Sequence, residues 1–160
     1  MPLTYQRSDG NSFQIGDQAL AVLLSHRQLE PSAHEAGGIL LGRLLLDSND
    51  AIADEASQPV ETDRRGRFFF QRARVPAQKR VTAAWMKSDR SAQYLGEWHT
   101  HPQDDPIPSN KDLNDWDRLL RVTVCEHTSL FFAIVGLKRI RVWEGNRNTG
   151  LITCMTLVAE

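Results

Sequence analysis

The chain has 160 residues, of which 41% are hydrophobic and 24% charged, the composition of a soluble globular domain rather than a disordered, collagen-like or coiled-coil chain. That length fits one domain over residues 1–160 and buries enough surface to fold without a disulfide or a metal. Nineteen Lys and Arg balance 20 Asp and Glu to a net charge of −1, so no global basic field exists to hold a phosphate backbone, and nucleic acid is not an expected partner.

The first predicted element is a helix over Asp17 to Leu29, with apolar Ala19, Leu20, Val22, Leu23 and Leu24, closed by Pro31. Gly37 to Leu46 is a nearly continuous apolar run and reads as a buried strand. Ala51 to Ser57 pairs with it as a hairpin across Asp47-Ser48-Asn49-Asp50. An exposed charged loop, Glu61 to Arg67, precedes a short aromatic strand at Phe68-Phe69-Phe70. A second helix spans Ala77 to Arg90, with Val81, Ala84, Trp85 and Ser88 at helical spacing.

Tyr94 to Thr100 alternates as a strand and is followed by a proline-rich loop, then a third helix from about Ser109 whose inner face is Leu113, Trp116, Leu119 and Leu120. Leu130–Val135 and Arg139–Trp143 flank a glycine-containing turn, and Leu151–Val158 closes the chain as a last strand. Strands interspersed with long helices predict a mixed α/β (α+β) fold, a sheet with helices packed on it. Two cysteines without CxxC spacing, Cys125 and Cys154, read as buried free thiols in a reducing compartment, with a single bridge between them as the alternative. With no apolar leader and no 18-residue apolar stretch, the expectation is a cytoplasmic protein with no membrane partner.

The chemistry concentrates in His99-Thr100-His101-Pro102, followed by Ser109 and Asp112. Side chains at i and i+2 of a strand share a face, so His99 and His101 project together. Three prolines (Pro102, Pro106 and Pro108) stiffen the loop to Ser109, and Asp112 in the first helical turn can face back as a third ligand. Two other readings compete: a chance histidine pair on a surface strand, and a capping box at Ser109-x-x-Asp112. At this composition an HxH arises by chance with probability about 0.15, and with Ser and Asp at their fixed positions about 0.0007. Two His and one carboxylate leave a fourth position open, the pattern of a catalytic zinc site, where bound water's pKa falls from about 16 to about 7. A general base is also needed. Glu35, abutting the buried strand, is a candidate, although from the residue alone a solvated loop acid is the better reading.

Taken together, Glu35-Ala36-Gly37-Gly38-Ile39-Leu40-Leu41-Gly42 with His99-Thr100-His101-Pro102, Ser109 and Asp112 resembles the JAMM (MPN-plus) metalloproteases. Their signature is an upstream glutamate and H-[S/T]-H-P-x6-S-x2-D, and every position is filled here at that spacing. The resemblance implies a single-domain JAMM/MPN-like (cytidine-deaminase-like) fold, a curved mixed sheet flanked by helices. It also implies one Zn2+ per chain on His99, His101 and Asp112, with Glu35 as general base and Ser109 donating to the oxyanion.

The family's substrates have C-terminal Gly-type tails, of ubiquitin or ubiquitin-like proteins, cut at the isopeptide or peptide bond that follows. Gly96–Pro102 (GEWHTHP) and Arg64-Arg65-Gly66-Arg67 resemble one bacterial group in particular. These are the stand-alone deconjugating enzymes of antiphage CBASS operons, which release a conjugated cGAS-like nucleotidyltransferase. The chain accordingly reads as a catalytic module with nothing attached. Alternatives from other classes are trimming of a ThiS/MoaD-type sulfur-carrier tail, a noncatalytic MPN scaffold, and a small-molecule amidohydrolase. Of the remaining residues, His34 reads as a surface histidine, Trp85, Trp98, Trp116 and Trp143 as core, Asp104 and Asp105 as solvated, and the Arg64–Arg67 run as a solvated charge cluster by default, with an acidic partner surface as its alternative.

Overall fold

The computed structural model describes residues 1–159. Its strands are β1 (Leu3–Gln6), β2 (Ser12–Ile15), β3 (Gly37–Leu44), β4 (Ala51–Ala56), β5 (Arg64–Gly66), β6 (Phe69–Gln71), β7 (Gln93–Thr100), β8 (Ser129–Val135), β9 (Ile140–Asn146), β10 (Ile152–Cys154) and β11 (Thr156–Ala159). The helices are α1 (Asp17–Ser25), α2 (Arg74–Lys87) and α3 (Asn110–Val122). Nine strands form one mixed sheet in the order β10-β9-β8-β7-β3-β4-β2-β1-β11, and β5 and β6 form a separate hairpin.

The sheet is strongly curved, and the predicted last strand shows why. Instead of one strand over Leu151–Val158, the chain breaks at Met155: β10 pairs with β9 at one edge and β11 with β1 at the other. One buried residue therefore joins the two edges, its amide donating to the Val142 carbonyl at 2.8 Å. The Tyr5 hydroxyl crosses the same closure to the Ile140 carbonyl at 2.8 Å. Curling leaves few open strand edges.

The central strands are buried on both faces, which accounts for their continuous apolar runs. Along β8, Phe131, Ala133 and Val135 join the cluster under α1 with Phe13, Leu23 and Trp98. Leu130, Phe132 and Ile134 face the opposite way and join Trp116, Leu120 and Trp143 under α3. Trp98 and His99 thus point to opposite faces of β7, as their alternation predicts.

Several boundaries differ from the sequence expectation. α1 ends at Ser25 rather than Leu29, because buried Gln28 leaves the helix to bridge Thr100 Oγ1, which donates to its Oε1, and the Ala33 and Arg67 carbonyls. The charged run is itself a strand, β5, paired with β6. α2 begins at Arg74 and buries none of its residues, so Trp85 is 38% exposed rather than core. On α3, Trp116 and Leu120 are buried as expected, whereas Leu113 is exposed. Cys125 is half-buried and Cys154 exposed, and both are free. No described helix is long and apolar enough to cross a membrane.

Candidate metal centre

Strand register assembles the site. β3 and β7 run antiparallel with Gly37 opposite His99, which brings the residues just before β3 alongside the residues just after β7. The Ala36 amide donates to Thr100 Oγ1 at 2.9 Å, and the Thr100 amide to the Ala36 carbonyl at 2.9 Å. Glu35 is thereby held beside His101. A Cβ at Gly37 would collide with the Phe70 ring and the Trp98 carbonyl at 2.6 and 2.7 Å, so this crossing requires glycine. On the other side of β7, the His101 amide donates to the Val135 carbonyl at 3.0 Å, extending the parallel pairing with β8 to the second histidine.

The helix start supplies the fourth side chain. Ser109 Oγ accepts from the Asp112 amide at 3.1 Å, while Asp112 Oδ2 accepts from the Ser109 amide at 2.8 Å, a complete capping box. The same Oδ2 lies 3.1 Å from His101 Nε2 and 3.3 Å from His99 Nε2. One carboxylate thus caps the helix and also faces both imidazoles, so the observed capping box is compatible with the ligand reading of Asp112. Because Ser109 Oγ accepts in the cap, its own O–H is left to donate elsewhere.

His99 and His101 face each other with Nε2 atoms 3.0 Å apart, and Glu35 Oε1 lies 3.5 Å from His101 Nε2. Ligand atoms about 2.1 Å from a tetrahedral Zn2+ are about 3.4 Å apart. The triangle formed by His99, His101 and Asp112, with sides of 3.0, 3.1 and 3.3 Å, is close to one face of that tetrahedron. Glu35, His99 and His101 also bring ligand atoms within 4.8 Å of one another. Asp112 Oδ2 is nevertheless nearer to His101 Nε2 than Glu35 Oε1 is, at 3.1 against 3.5 Å, which suits Asp112 to the third ligand position and leaves Glu35 beside it. These residues fit a zinc ion.

Electrostatics separates the two carboxylates. Burial pushes Glu35 up to about 7, opposed by His101 and reinforced by the charge of Asp112. Burial acts on Asp112 in the same sense, but hydrogen bonds from His101 and His99 outweigh it and hold that carboxyl well below the usual carboxylate range. One acid is thus fixed as an anion suited to ligation, and the other is tuned toward proton exchange near neutrality.

Supporting contacts come from residues that the motif leaves unspecified. Gln103 Oε1 sits 3.2 Å from His101 Nδ1 and orients that ring with Nε2 toward the centre. Asp104 and Asp105 are ion-paired rather than merely solvated, to Lys138 at 3.0 Å and Arg141 at 2.5 Å, and pin the loop to the β8–β9 turn. Arg65, from the charged run, donates to the Glu35 carbonyl at 2.7 Å, and the Glu35 amide donates to the Gly66 carbonyl at 2.7 Å. The β5–β6 hairpin therefore clamps the backbone of the candidate base. No short-range pattern signals this, since the partners are 30 residues apart in sequence. His34 is exposed.

Beside His99 and Asp112 a cavity of about 640 Å³ opens between α2 and α3, lined by Phe70, Val81, Tyr94, Trp116 and Leu119. Its floor carries an ion pair: Arg72 Nε donates to both Glu97 carboxylate oxygens at 2.7 and 2.8 Å, and the Tyr94 hydroxyl donates to Glu97 Oε1 at 2.9 Å.

Comparison with known proteins gives this geometry a family. The family model for prokaryotic homologs of the JAB domain matches residues 17–145, which include all five motif residues. The chain belongs to that family. A protein of Vibrio cholerae named CD-NTase/cGAS isopeptidase is 37% identical over 131 residues, 82% of this chain and 79% of that protein. An Escherichia coli protein of the same name is 31% identical over 137 residues, 86% and 83% of the two chains. The solution structure of a Desulfitobacterium hafniense protein shares the fold, with a TM-score of 0.52 and 21% identity over 90% of this chain and 88% of that one.

Proposed function

We propose that this JAB-domain chain is a zinc-dependent isopeptidase that releases a conjugated CD-NTase from whatever its C terminus was joined to, as a deconjugating enzyme of CBASS defence. The observation that carries the reading is the convergence of His99, His101 and Asp112 beside a buried Glu35, in a family whose members similar to this chain are named CD-NTase/cGAS isopeptidases. The complete ligand set favours an enzyme over a noncatalytic scaffold. The relatives' names favour a CD-NTase over a sulfur carrier. Residues 1–160 act as one catalytic domain, and the two free cysteines suit a cytoplasmic setting.

In this reading His99, His101 and Asp112 hold the metal. A bound Zn2+ supplies Lewis acidity that polarises the scissile carbonyl and makes water nucleophilic near neutral pH. The chain's own residues do the rest. The Glu35 carboxylate takes a proton from the attacking water as the new C–O bond forms. It then delivers that proton to the amine nitrogen as the C–N bond breaks, and with the second water proton also passing to the amine the products are a carboxylate and an ammonium group. The Ser109 hydroxyl donates to the oxyanion that develops on the carbonyl oxygen.

The tail is bound in the cavity between α2 and α3. From Asp112 to Val122 the groove follows α3 for about 15 Å at the helical rise, enough for four to five extended residues.

Glu35→Gln tests the assignment. Cleavage of a CD-NTase joined through its C terminus to a reporter protein should fall by about 10²–10⁴-fold, with metal content unchanged. Full activity in Glu35→Gln would remove Glu35 from the mechanism.

A further inference from the structure

The charge of this chain is far from evenly spread. Arg64 to Arg90 holds nine of the 19 basic residues and a single acid, Asp89, a balance of +8 in 27 residues. The other 133 residues carry ten basic and 19 acidic side chains, a balance of −9. The near-neutral total therefore conceals two opposed fields, and the positive one falls on β5, β6 and α2, beside the groove that leads to the metal centre.

Four of the nine cations are engaged within the chain. Arg65 and Arg67 hold backbone carbonyls, Arg72 pairs with Glu97, and Arg80 pairs with Glu55. Arg64, Arg74, Lys79, Lys87 and Arg90 are exposed and have no ion pair among the described residues. Apolar side chains stand among them: Phe68, Val75 and Met86 are 74%, 63% and 73% exposed. No residue of α2 is fully buried: Pro76, Ala77, Val81 and Ala84 are half-buried, and the rest of its surface, including every cation it carries, is exposed.

We propose that the β5–β6 hairpin and α2 form a docking face for an acidic protein surface, that of the substrate whose tail enters the neighbouring groove. This rests on the isopeptidase reading above and extends it from the tail to the body of the substrate. Cations interspersed with exposed Phe, Val, Met and Trp suit a protein partner, which offers apolar as well as acidic contacts, better than a phosphate backbone. Continuity with the groove commits the face to the molecule being cut. Exposed charges of this kind act mainly on encounter, so they raise kcat/KM for the whole protein and leave the chemical step alone.

The test uses the zinc-loaded enzyme and two substrates with the same reporter as leaving group: the whole CD-NTase, and only its last ten or so residues. At about 50 mM salt the whole protein should be cut with a kcat/KM about tenfold above the tail alone, and at about 500 mM this advantage should vanish. Lys79→Glu with Lys87→Glu, neither of which touches the metal centre or groove, should remove the advantage at low salt and leave cleavage of the tail unchanged. The unchanged tail reaction also certifies that the variant is folded. Equal kcat/KM for the two substrates, or a double variant without effect, overturns the proposal. Failure of the wild type to cut either substrate defeats the isopeptidase reading instead. Docking is then decided by direct binding of CD-NTase to wild type and double variant, with equal affinity overturning it. Tighter binding of labelled RNA than of CD-NTase, or self-association lost in the double variant, would reassign the face and overturn it as well.

Discussion

At the scale of single residues, the site works by giving similar groups different surroundings. Asp112 and Glu35 are both carboxylates within reach of His101, yet the cap at the start of α3 and two imidazoles fix the first as an anion, while burial leaves the second near neutrality. Arg65 is the contributor that sequence patterns could not assign, because its partner is a backbone carbonyl on another element. Its position predicts a specific kinetic signature. Arg65→Ala should lower kcat about tenfold with KM and metal content nearly unchanged, since Glu35 loses alignment and no metal ligand is touched. Arg65→Lys, which keeps one donor, should recover part of the loss, and Arg64→Ala, whose side chain holds nothing in the fold, should keep kcat. Steady-state kinetics of the three variants decides it; equal kcat for wild type and Arg65→Ala would show that the clamp is unnecessary.

Among elements, those with two-sided burial were legible in the sequence and those held by long-range polar contacts were not. The apolar runs of β3 and β8, the alternation of β7 and the amphipathic stripe of α3 all announce themselves. β5 is three residues long and two of them are exposed arginines, so it exists only because β6 pairs with it. The break at Met155 depends on curling of the whole sheet, which local periodicity does not encode.

The start of α3 allows structure and chemistry to be separated at one position. Ser109→Ala removes both the cap and the hydroxyl donor and should cost about 1 kcal/mol of stability, whereas Ser109→Gly should cost only a few tenths. Activity should fall about 10²-fold in both. Denaturant unfolding beside kinetics checks this. Recovery of activity in the glycine variant would mean that Ser109 acts only as a cap.

For the molecule as a whole, the fold is built on two apolar clusters and on the sheet closed through Met155, and the candidate metal centre sits at the end of β7 and the start of α3. Composition already indicated a chain large enough to fold without a metal. What composition hid was the division of charge between the α2 side and the rest. The most direct measurement follows one chelated sample by two readouts: circular dichroism with thermal unfolding, and cleavage of a CD-NTase–reporter fusion. The expected result is an unchanged spectrum, a single cooperative transition lowered by about 10 °C relative to enzyme with zinc about a hundredfold above Kd, no cleavage, and full recovery on adding Zn2+. Cleavage that survives exhaustive chelation would contradict it, as would a folded, zinc-loaded protein that leaves the fusion intact.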